Sequence, residues 1–212
     1  MQRSPKALKS HPVSVAIYGD ESADDGLVES VRESGVLVPL VVKDDNTVIS
    51  GHRRLRAALA CELASVPVTV VSFADERAER LAIIEHNRQR EKTLSQRMRE
   101  ADEIEKIEKD RAKERLKTST GGAKPRPTAT LPEADKGEAR EKVSAAVGMK
   151  PRTYDKARKV YEAAKAGDKK AQKALADVDA GKSTISKAEK DVTKAAKKTE
   201  KAKKTDNGFP AI

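Results

Sequence analysis

The sequence predicts two domains of different class: an α+β domain on the N-terminal side and an all-helical domain on the C-terminal side. Up to about residue 92, short apolar runs typical of strands alternate with helical runs. Beyond that point the apolar residues recur only at helical spacing. The charge divides as well, because residues 1–100 hold 15 Lys and Arg against 15 Asp and Glu, whereas the remaining 112 residues hold 29 against 19.

The first domain is predicted over residues 1–92, and its elements follow one another closely. Residues 26–43 predict a short helix, a stop at Gly35 and a buried strand. Three further elements follow: a strand ending at Ser50 that turns at Gly51 into an apolar helix, a strand over 66–73, and a helical run over 75–85 that leads into His86-Asn87-Arg88-Gln89-Arg90.

The turn at Gly51 combines several features of a phosphate site. A helix start leaves backbone N–H groups unpaired and carries the positive end of the helix dipole. Glycine allows close approach of a ligand to the backbone, and Arg53, Arg54 and Arg56 supply planar donors suited to phosphate oxygens. A surface helix with solvated arginines is the alternative interpretation of the arginines alone.

Three separated blocks in this order resemble the N-terminal domain of ParB-type partition proteins, in the ParB/sulfiredoxin superfamily, over about residues 11–92. The family's Gly-Glu-Arg-Arg-x-Arg-Ala box falls on 51–57, and its Glu-Asn-x-Gln-Arg box falls on 86–90. In ParB proteins these boxes hold the triphosphate of CTP and its magnesium. The resemblance therefore implies a nucleotide- or phosphate-binding site made of Gly51, His52, Arg53, Arg54, Arg56, His86, Asn87 and Arg90.

Both boxes depart from the family at one position, because His52 and His86 stand where the family has glutamate. Magnesium prefers oxygen ligands, so a neutral imidazole replaces each carboxylate poorly. This argues against a Mg–CTP site while leaving phosphate binding through the arginines in place. An alternative is that the two histidines face each other as a softer-metal or general-base pair, as in a ParB-like nuclease or nucleotide hydrolase.

The cysteine content bears on the other branch of the superfamily. Sulfiredoxins carry a nucleophilic cysteine directly before the histidine of this box, and that position is Gly51 here. The single cysteine, Cys61, lies in an apolar helix and is expected to be a buried thiol. One cysteine excludes a disulfide framework, which fits a cytoplasmic protein.

A long polar helix and a linker are predicted after the first domain. Thr93 and Gln96 fit a capping box at the start of a connecting helix over 93–116, whose narrow apolar stripe implies packing against a neighbour. Residues 117–137 are rich in Gly, Ser, Thr and Pro and predict a flexible linker.

Residues 138–192 predict a helix-turn-helix domain, with an ordinary helical hairpin as the alternative. A helix over 138–147, with Val143, Ala146 and Val147 inward, precedes the turn 148–151 and a second helix over 152–165. Further helices over 168–192 are expected to close the core. The exposed start of the second helix would face DNA through Lys150, Arg152, Thr153, Lys156 and Arg158.

The surplus of positive charge in the second half indicates a polyanion partner. Only 2% of the residues are aromatic, so few side chains are available for stacking on unpaired bases, and duplex DNA is favoured. The sequence contains no long apolar run that would support a membrane as the partner. Residues 193–212 are expected to be a basic, disordered tail that adds phosphate contacts.

The function predicted from these features is DNA binding in plasmid, chromosome or phage maintenance, with the arginine box as a nucleotide sensor. The resemblance implies a partition ATPase and a second copy of the chain as further partners. A nuclease or nucleotide hydrolase is one alternative, and a helix-turn-helix transcriptional regulator without partition activity is another.

Overall fold

The computed structural model describes residues 1–19, 23–118 and 133–194. The chain divides into two compact units, Met1–Arg90 and Glu91–Ile212, and the described part of each is considered by itself.

The first unit is built on a mixed five-stranded sheet within the described residues. Its strands lie in the order β1-β5-β3-β4-β2. The central strand β3 runs parallel to β5 and antiparallel to β4, while β2 is parallel to β4 and β1 is antiparallel to β5. The strands are β1 Gln2–Arg3, β2 Lys9–Ser10, β3 Leu40–Val42, β4 Thr47–Ser50 and β5 Val66–Val70.

Within the described residues, a short 3-10 helix, Pro5–Ala7, and four α-helices accompany this sheet: α1 Pro12–Tyr18, α2 Asp25–Ser34, α3 His52–Ala60 and α4 Glu76–His86. The core forms where Leu40 and Val48 of the sheet pack with Leu55 of α3 and Val31 of α2. Helix α2 ends at Gly35, whose φ of 69° lies in the left-handed region. The predicted α+β class and the glycine stop are confirmed.

Strand β5 is shorter than the predicted 66–73 and ends at Val70. Its ladder partner β3 ends at Val42, which pairs with Val70. The backbone N–H of Val71 still donates to the carbonyl of Val42 at 2.9 Å, but beyond it β3 offers no further pairing. The strand therefore ends where its neighbour ends.

The second unit is helical throughout its described residues. Its helices are α5 Leu94–Thr118, α6 Glu133–Ala146, α7 Pro151–Lys165, α8 Lys169–Asp179 and a last helix, α9, over 185–194. The apolar stripe of α5 is buried, as predicted, and α5 packs against α6, α7 and α8. Helices α7, α8 and α9 share a second cluster around Val160, Ala171 and Ala188.

The predicted capping box begins α5. The backbone N–H of Gln96 donates to Oγ1 of Thr93 at 3.2 Å, and the N–H of Thr93 donates to Oε1 of Gln96 at 3.2 Å. These two reciprocal bonds pair N–H groups that a helix start leaves without partners.

Two expectations for this unit are wrong in detail. The linker was predicted to reach residue 137, but α6 begins at Glu133, directly after the last proline of that segment, and residues 117–118 belong to α5. Ala146 was predicted inward but is exposed, because Ser144 completes the buried face with Val143 and Val147. The rest of the predicted linker and most of the predicted tail lie outside the described residues.

Within the described ranges, no helix combines the length and the apolar character needed to cross a lipid bilayer.

Candidate functional site

The two boxes of the first unit line one pocket of about 340 Å³, although 28 residues separate them in the sequence. Side chains of α1, the start of α3 and the end of α4 form its walls. All eight residues predicted to bind phosphate are among those that line it: Gly51, His52, Arg53, Arg54, Arg56, His86, Asn87 and Arg90.

Gly51 is required by the geometry of this wall. It precedes α3 with a φ of 103°, and a Cβ atom built on it would lie 3.0 Å from Cγ of Leu40. A side chain at this position would therefore be strained and would clash with the core. Since no side chain caps the start of α3, its first N–H groups stay available beside the pocket.

Arg54 anchors the backbone that precedes β3. Its Nη1 donates to the carbonyl oxygens of Pro39, at 2.8 Å, and of Val38. Burial lowers the pKa of the Arg54 guanidinium from its ordinary value. Arg54 thus contributes to the fold as well as to the cationic wall.

Arg53 and Arg90 are held in different ways. Arg53 forms an ion pair with Asp24, whose side chain also caps α2 by accepting the N–H of Leu27 at 2.8 Å. The guanidinium of Arg90 lies 5.5 Å from the centroid of the Tyr18 ring, within the range of a cation–π contact. Both guanidinium groups are therefore oriented at the pocket by neighbouring side chains.

His52 is held by contacts to both ring nitrogens. The backbone N–H of His11 donates to Nε2 of His52 at 3.3 Å, and Oγ of Ser14 lies 3.4 Å from Nδ1. Burial, with the nearby charges of His11 and Arg90, lowers the pKa of His52 to about 4. The ring is therefore neutral near pH 7, and its Nε2 lone pair accepts a hydrogen bond from a backbone N–H.

His11 links three elements around the pocket. Its Nδ1 accepts the N–H of Val13 at 3.1 Å at the start of α1, and its Nε2 lies 2.8 Å from Oε1 of Glu79 on α4. Oε1 of Glu79 is also 3.0 Å from Nζ of Lys43. Since its backbone N–H reaches His52, His11 connects α1, α3 and α4.

The sequence analysis did not identify His11, Ser14, Tyr18 or Glu79. One signal was present, because His11 precedes Pro12, and a side-chain acceptor followed by proline at the first helical position is typical of a helix start. No sequence signal connects Glu79 to His11, which is 68 positions away.

The donor set of this pocket suits an anion better than a divalent cation. None of its described lining residues carries a carboxylate, whereas four carry guanidinium groups. Within the described ranges, no group of three or more His, Cys, Asp and Glu side chains is placed to hold a metal ion. The magnesium of the resembled family therefore does not fit the residues that are described here.

The predicted DNA contacts divide into two sets. Lys150 and Arg152 are exposed and Thr153 is half-buried at the start of α7. Nζ of Lys156 lies 3.1 Å from Oγ of Ser186. These four residues lie within about two turns of one helix end.

Arg158 lies on another side of α7, facing α5. Its guanidinium pairs with Asp102 and lies 3.2 Å from Oε2 of Glu105 and 3.1 Å from Oε1 of Glu162. Because three carboxylates engage its guanidinium group, Arg158 has a structural role. It is therefore no longer counted among the residues predicted to contact DNA. Burial alone would raise the pKa of the Asp102 carboxyl. The hydrogen bonds and positive charges of Arg158 and Lys165 outweigh this effect, so the pKa lies below its ordinary value.

Comparisons with known proteins agree with the fold of the first unit. Residues 5–87 match the family model of the ParB N-terminal domain. A probable plasmid-partitioning protein ParB of Thermus thermophilus is 43% identical over 70 residues, which are 32% of this chain and 23% of that protein. The chromosome-partitioning protein Spo0J of the same organism is 42% identical over 77 residues, which are 35% of this chain and 28% of that protein.

The matched segments thus span about a quarter of these curated relatives. Among solved structures, that of a Pnob8-like ParB-N domain is similar with a TM-score of 0.60 at 16% identity, covering 99% of this chain and 85% of that chain. At this identity the likeness concerns the fold.

Proposed function

Because residues 5–87 match the family model of the ParB N-terminal domain, we propose that this chain is a DNA-binding protein of plasmid, chromosome or phage partition. In this proposal the pocket of the first unit binds a nucleotide through its phosphates, and the second unit binds duplex DNA. The protein acts in the cytoplasm, where its DNA is found.

The observation that carries the nucleotide part is the convergence of the two boxes on one pocket. Four guanidinium groups and the start of α3 meet there, which is an arrangement that proteins use to hold phosphate oxygens. The resemblance to ParB proteins favours CTP among the nucleotides. Adenine and guanine nucleotides are the comparison ligands.

The DNA part is supported by the second unit. Helix α6 and helix α7 pack together and are joined by a short turn in which Gly148 has a φ of 68° and Pro151 is the first helical residue. This order supports a helix-turn-helix, in which α7 is proposed as the recognition helix. The proposed contacts are Lys150, Arg152, Thr153 and Lys156.

The partners proposed with this function are duplex DNA, a partition ATPase and a second copy of the chain. The surplus of positive charge in residues 101–212 would release counterions from DNA phosphates and make the affinity depend steeply on salt. The relatives' names, which concern plasmid and chromosome partition, favour partition over transcriptional regulation. Nuclease or nucleotide-hydrolase activity is left out of the proposal, because Nε2 of His52 already accepts a hydrogen bond from the backbone N–H of His11.

The DNA part is tested by selecting bound duplexes from a randomised library with the full chain. We expect enrichment of one sequence, and loss of that enrichment in Arg152→Ala. Lys169→Ala, at the exposed start of α8, is the matched control and should enrich the same sequence. If the unmutated chain enriches no sequence, site-specific DNA binding is refuted. A plasmid-loss assay with the enriched site then separates partition from regulation alone.

A further inference from the structure

We propose that the pocket of the first unit binds the phosphate groups of its ligand without a divalent cation, using arginines where the resembled family uses magnesium. This inference rests on the proposed nucleotide binding. It concerns how the negative charge of the ligand is compensated.

The positions from which carboxylates would reach a cation hold histidines instead. Protein-bound magnesium is usually held by one or two carboxylates together with ligand phosphates and water. His52 and His86 replace both glutamates of the family boxes. Nitrogen donors of this kind suit other metals and are poor ligands for magnesium.

His52 is in addition occupied within the protein. Its Nε2 accepts the backbone N–H of His11 at 3.3 Å, and Ser14 lies against its other nitrogen. To bind a metal through Nε2, the ring would have to give up a hydrogen bond that joins α1 to α3. Of the two histidines that stand where the family has glutamate, His86 is therefore the one whose side chain is exposed to solvent.

The carboxylates that lie near the pocket in the described structure are already paired. Asp24 is engaged by Arg53 and by the N–H of Leu27. Glu79 is 13% exposed and is engaged by Lys43 and His11. Recruiting Glu79 to a cation would disrupt its largely buried contacts with Lys43 and His11, which costs free energy.

The cationic side chains can compensate the phosphate charge themselves. Arg53, Arg54, Arg56 and Arg90 all line the pocket, and a divalent cation entering it would be repelled by the same charges that attract a phosphate. A nucleotide without bound magnesium carries more negative charge than its magnesium complex. The metal-free form should therefore bind at least as tightly.

The experiment is calorimetric titration of the full chain with CTP in EDTA and in magnesium, repeated with inorganic tripolyphosphate. For the unmutated chain we expect the Kd in EDTA to equal that in magnesium within about threefold or to be lower. Binding of tripolyphosphate as well as CTP would show that the phosphates carry the interaction. Binding of CTP without binding of tripolyphosphate would show that the nucleoside contributes as well. The affinity for CTP should still be the same in EDTA and in magnesium.

His86→Glu restores one family carboxylate at an exposed position. It should weaken binding in EDTA by about tenfold, because a negative charge then faces the phosphates, and magnesium should restore part of that loss. His86→Gln is the uncharged control. For His86→Gln, the ratio of the Kd in EDTA to the Kd in magnesium should equal that of the unmutated chain, even if both values change.

The outcomes separate this inference from the proposed function. CTP binding in magnesium that disappears in EDTA overturns metal independence and leaves nucleotide binding standing. Absence of binding in both buffers overturns nucleotide binding, and metal independence with it.

Discussion

The backbone N–H of His11 donates a hydrogen bond to Nε2 of His52 at 3.3 Å, and this bond joins the start of α1 to the start of α3. The imidazole of His11 extends the connection to Glu79 on α4, at 2.8 Å. The residue that the sequence suggested as a catalytic or metal-binding group is thus fixed within the wall of the pocket.

The first prediction concerns the pH dependence of stability. His52 has a pKa of about 4 in the folded chain and about 6.5 when unfolded, so between these values the unfolded chain binds more protons. Stability should therefore fall as the pH is lowered from about 6.5 to about 4, by up to about 3 kcal/mol from this group. Chemical denaturation at several pH values measures this loss.

His52→Asn is the matched variant for that series. Asparagine has an acceptor oxygen for the N–H of His11 but does not titrate, so its stability should fall less over the same pH range. Equal slopes for the two proteins would show that groups other than His52 cause the acid sensitivity.

The second prediction concerns Gly51. Gly51→Ala should destabilise the chain by about 2–4 kcal/mol, because alanine is strained at positive φ and its Cβ would lie 3.0 Å from Leu40. Gly35→Ala provides the comparison, since Gly35 has a φ of 69° with no atom within 4 Å of the added Cβ. It should cost about 1 kcal/mol. Similar losses in thermal denaturation would mean that the contact with Leu40 relaxes.

The third prediction separates two neighbouring arginines. Arg54→Ala should reduce the free energy of unfolding by about 1–2 kcal/mol, because it leaves the carbonyls of Val38 and Pro39 without this donor. Arg53→Ala should cost under about 1 kcal/mol, because its ion pair with Asp24 is about half exposed. Urea unfolding of both variants tests this order, and the reverse order would contradict the structural role given to Arg54.

The fourth prediction separates two arginines of α7. Arg152→Ala should weaken binding to the selected DNA by roughly 1–3 kcal/mol and leave stability within about 0.5 kcal/mol. Arg158→Ala should reduce stability by about 2 kcal/mol, because Asp102 and Glu105 each lose one of their partners. Fluorescence titration with DNA and urea unfolding give the two quantities. Loss of DNA affinity in Arg158→Ala at unchanged stability would return Arg158 to the DNA surface.

The elements of the first unit from α2 to α4 were largely predictable, because strands and helices leave local signals, whereas β1, β2 and α1 were not predicted. The stop at Gly35 and the turn at Gly51 are single-residue signals of this kind, and both turns form as predicted. Eight of the residues that line the pocket were also foreseen, because they lie in two contiguous boxes, whereas its lining residues on α1 were not. That these residues bind phosphate stays a prediction.

What the sequence could not show are contacts between residues that are far apart in the chain. The positions of His11 and Glu79 relative to each other depend on how α1 and α4 pack. A basic residue on a helix is equally compatible with DNA and with a carboxylate, and only the packing of α5 shows that Arg158 meets Asp102. The outward position of Ala146 likewise follows from which face of α6 is buried.

The most direct test of the account is a calorimetric titration of CTP into the full chain and two variants, in magnesium and in EDTA. Arg90→Ala removes a guanidinium group that lines the pocket. Arg88→Ala removes an exposed guanidinium group two residues away, which does not line the pocket. We expect one site per chain, retained in Arg88→Ala and weakened about tenfold or more in Arg90→Ala, since a charged contact to phosphate is lost. No binding of CTP, ATP or GTP by the unmutated chain, or equal affinities in the two variants, would contradict the phosphate site.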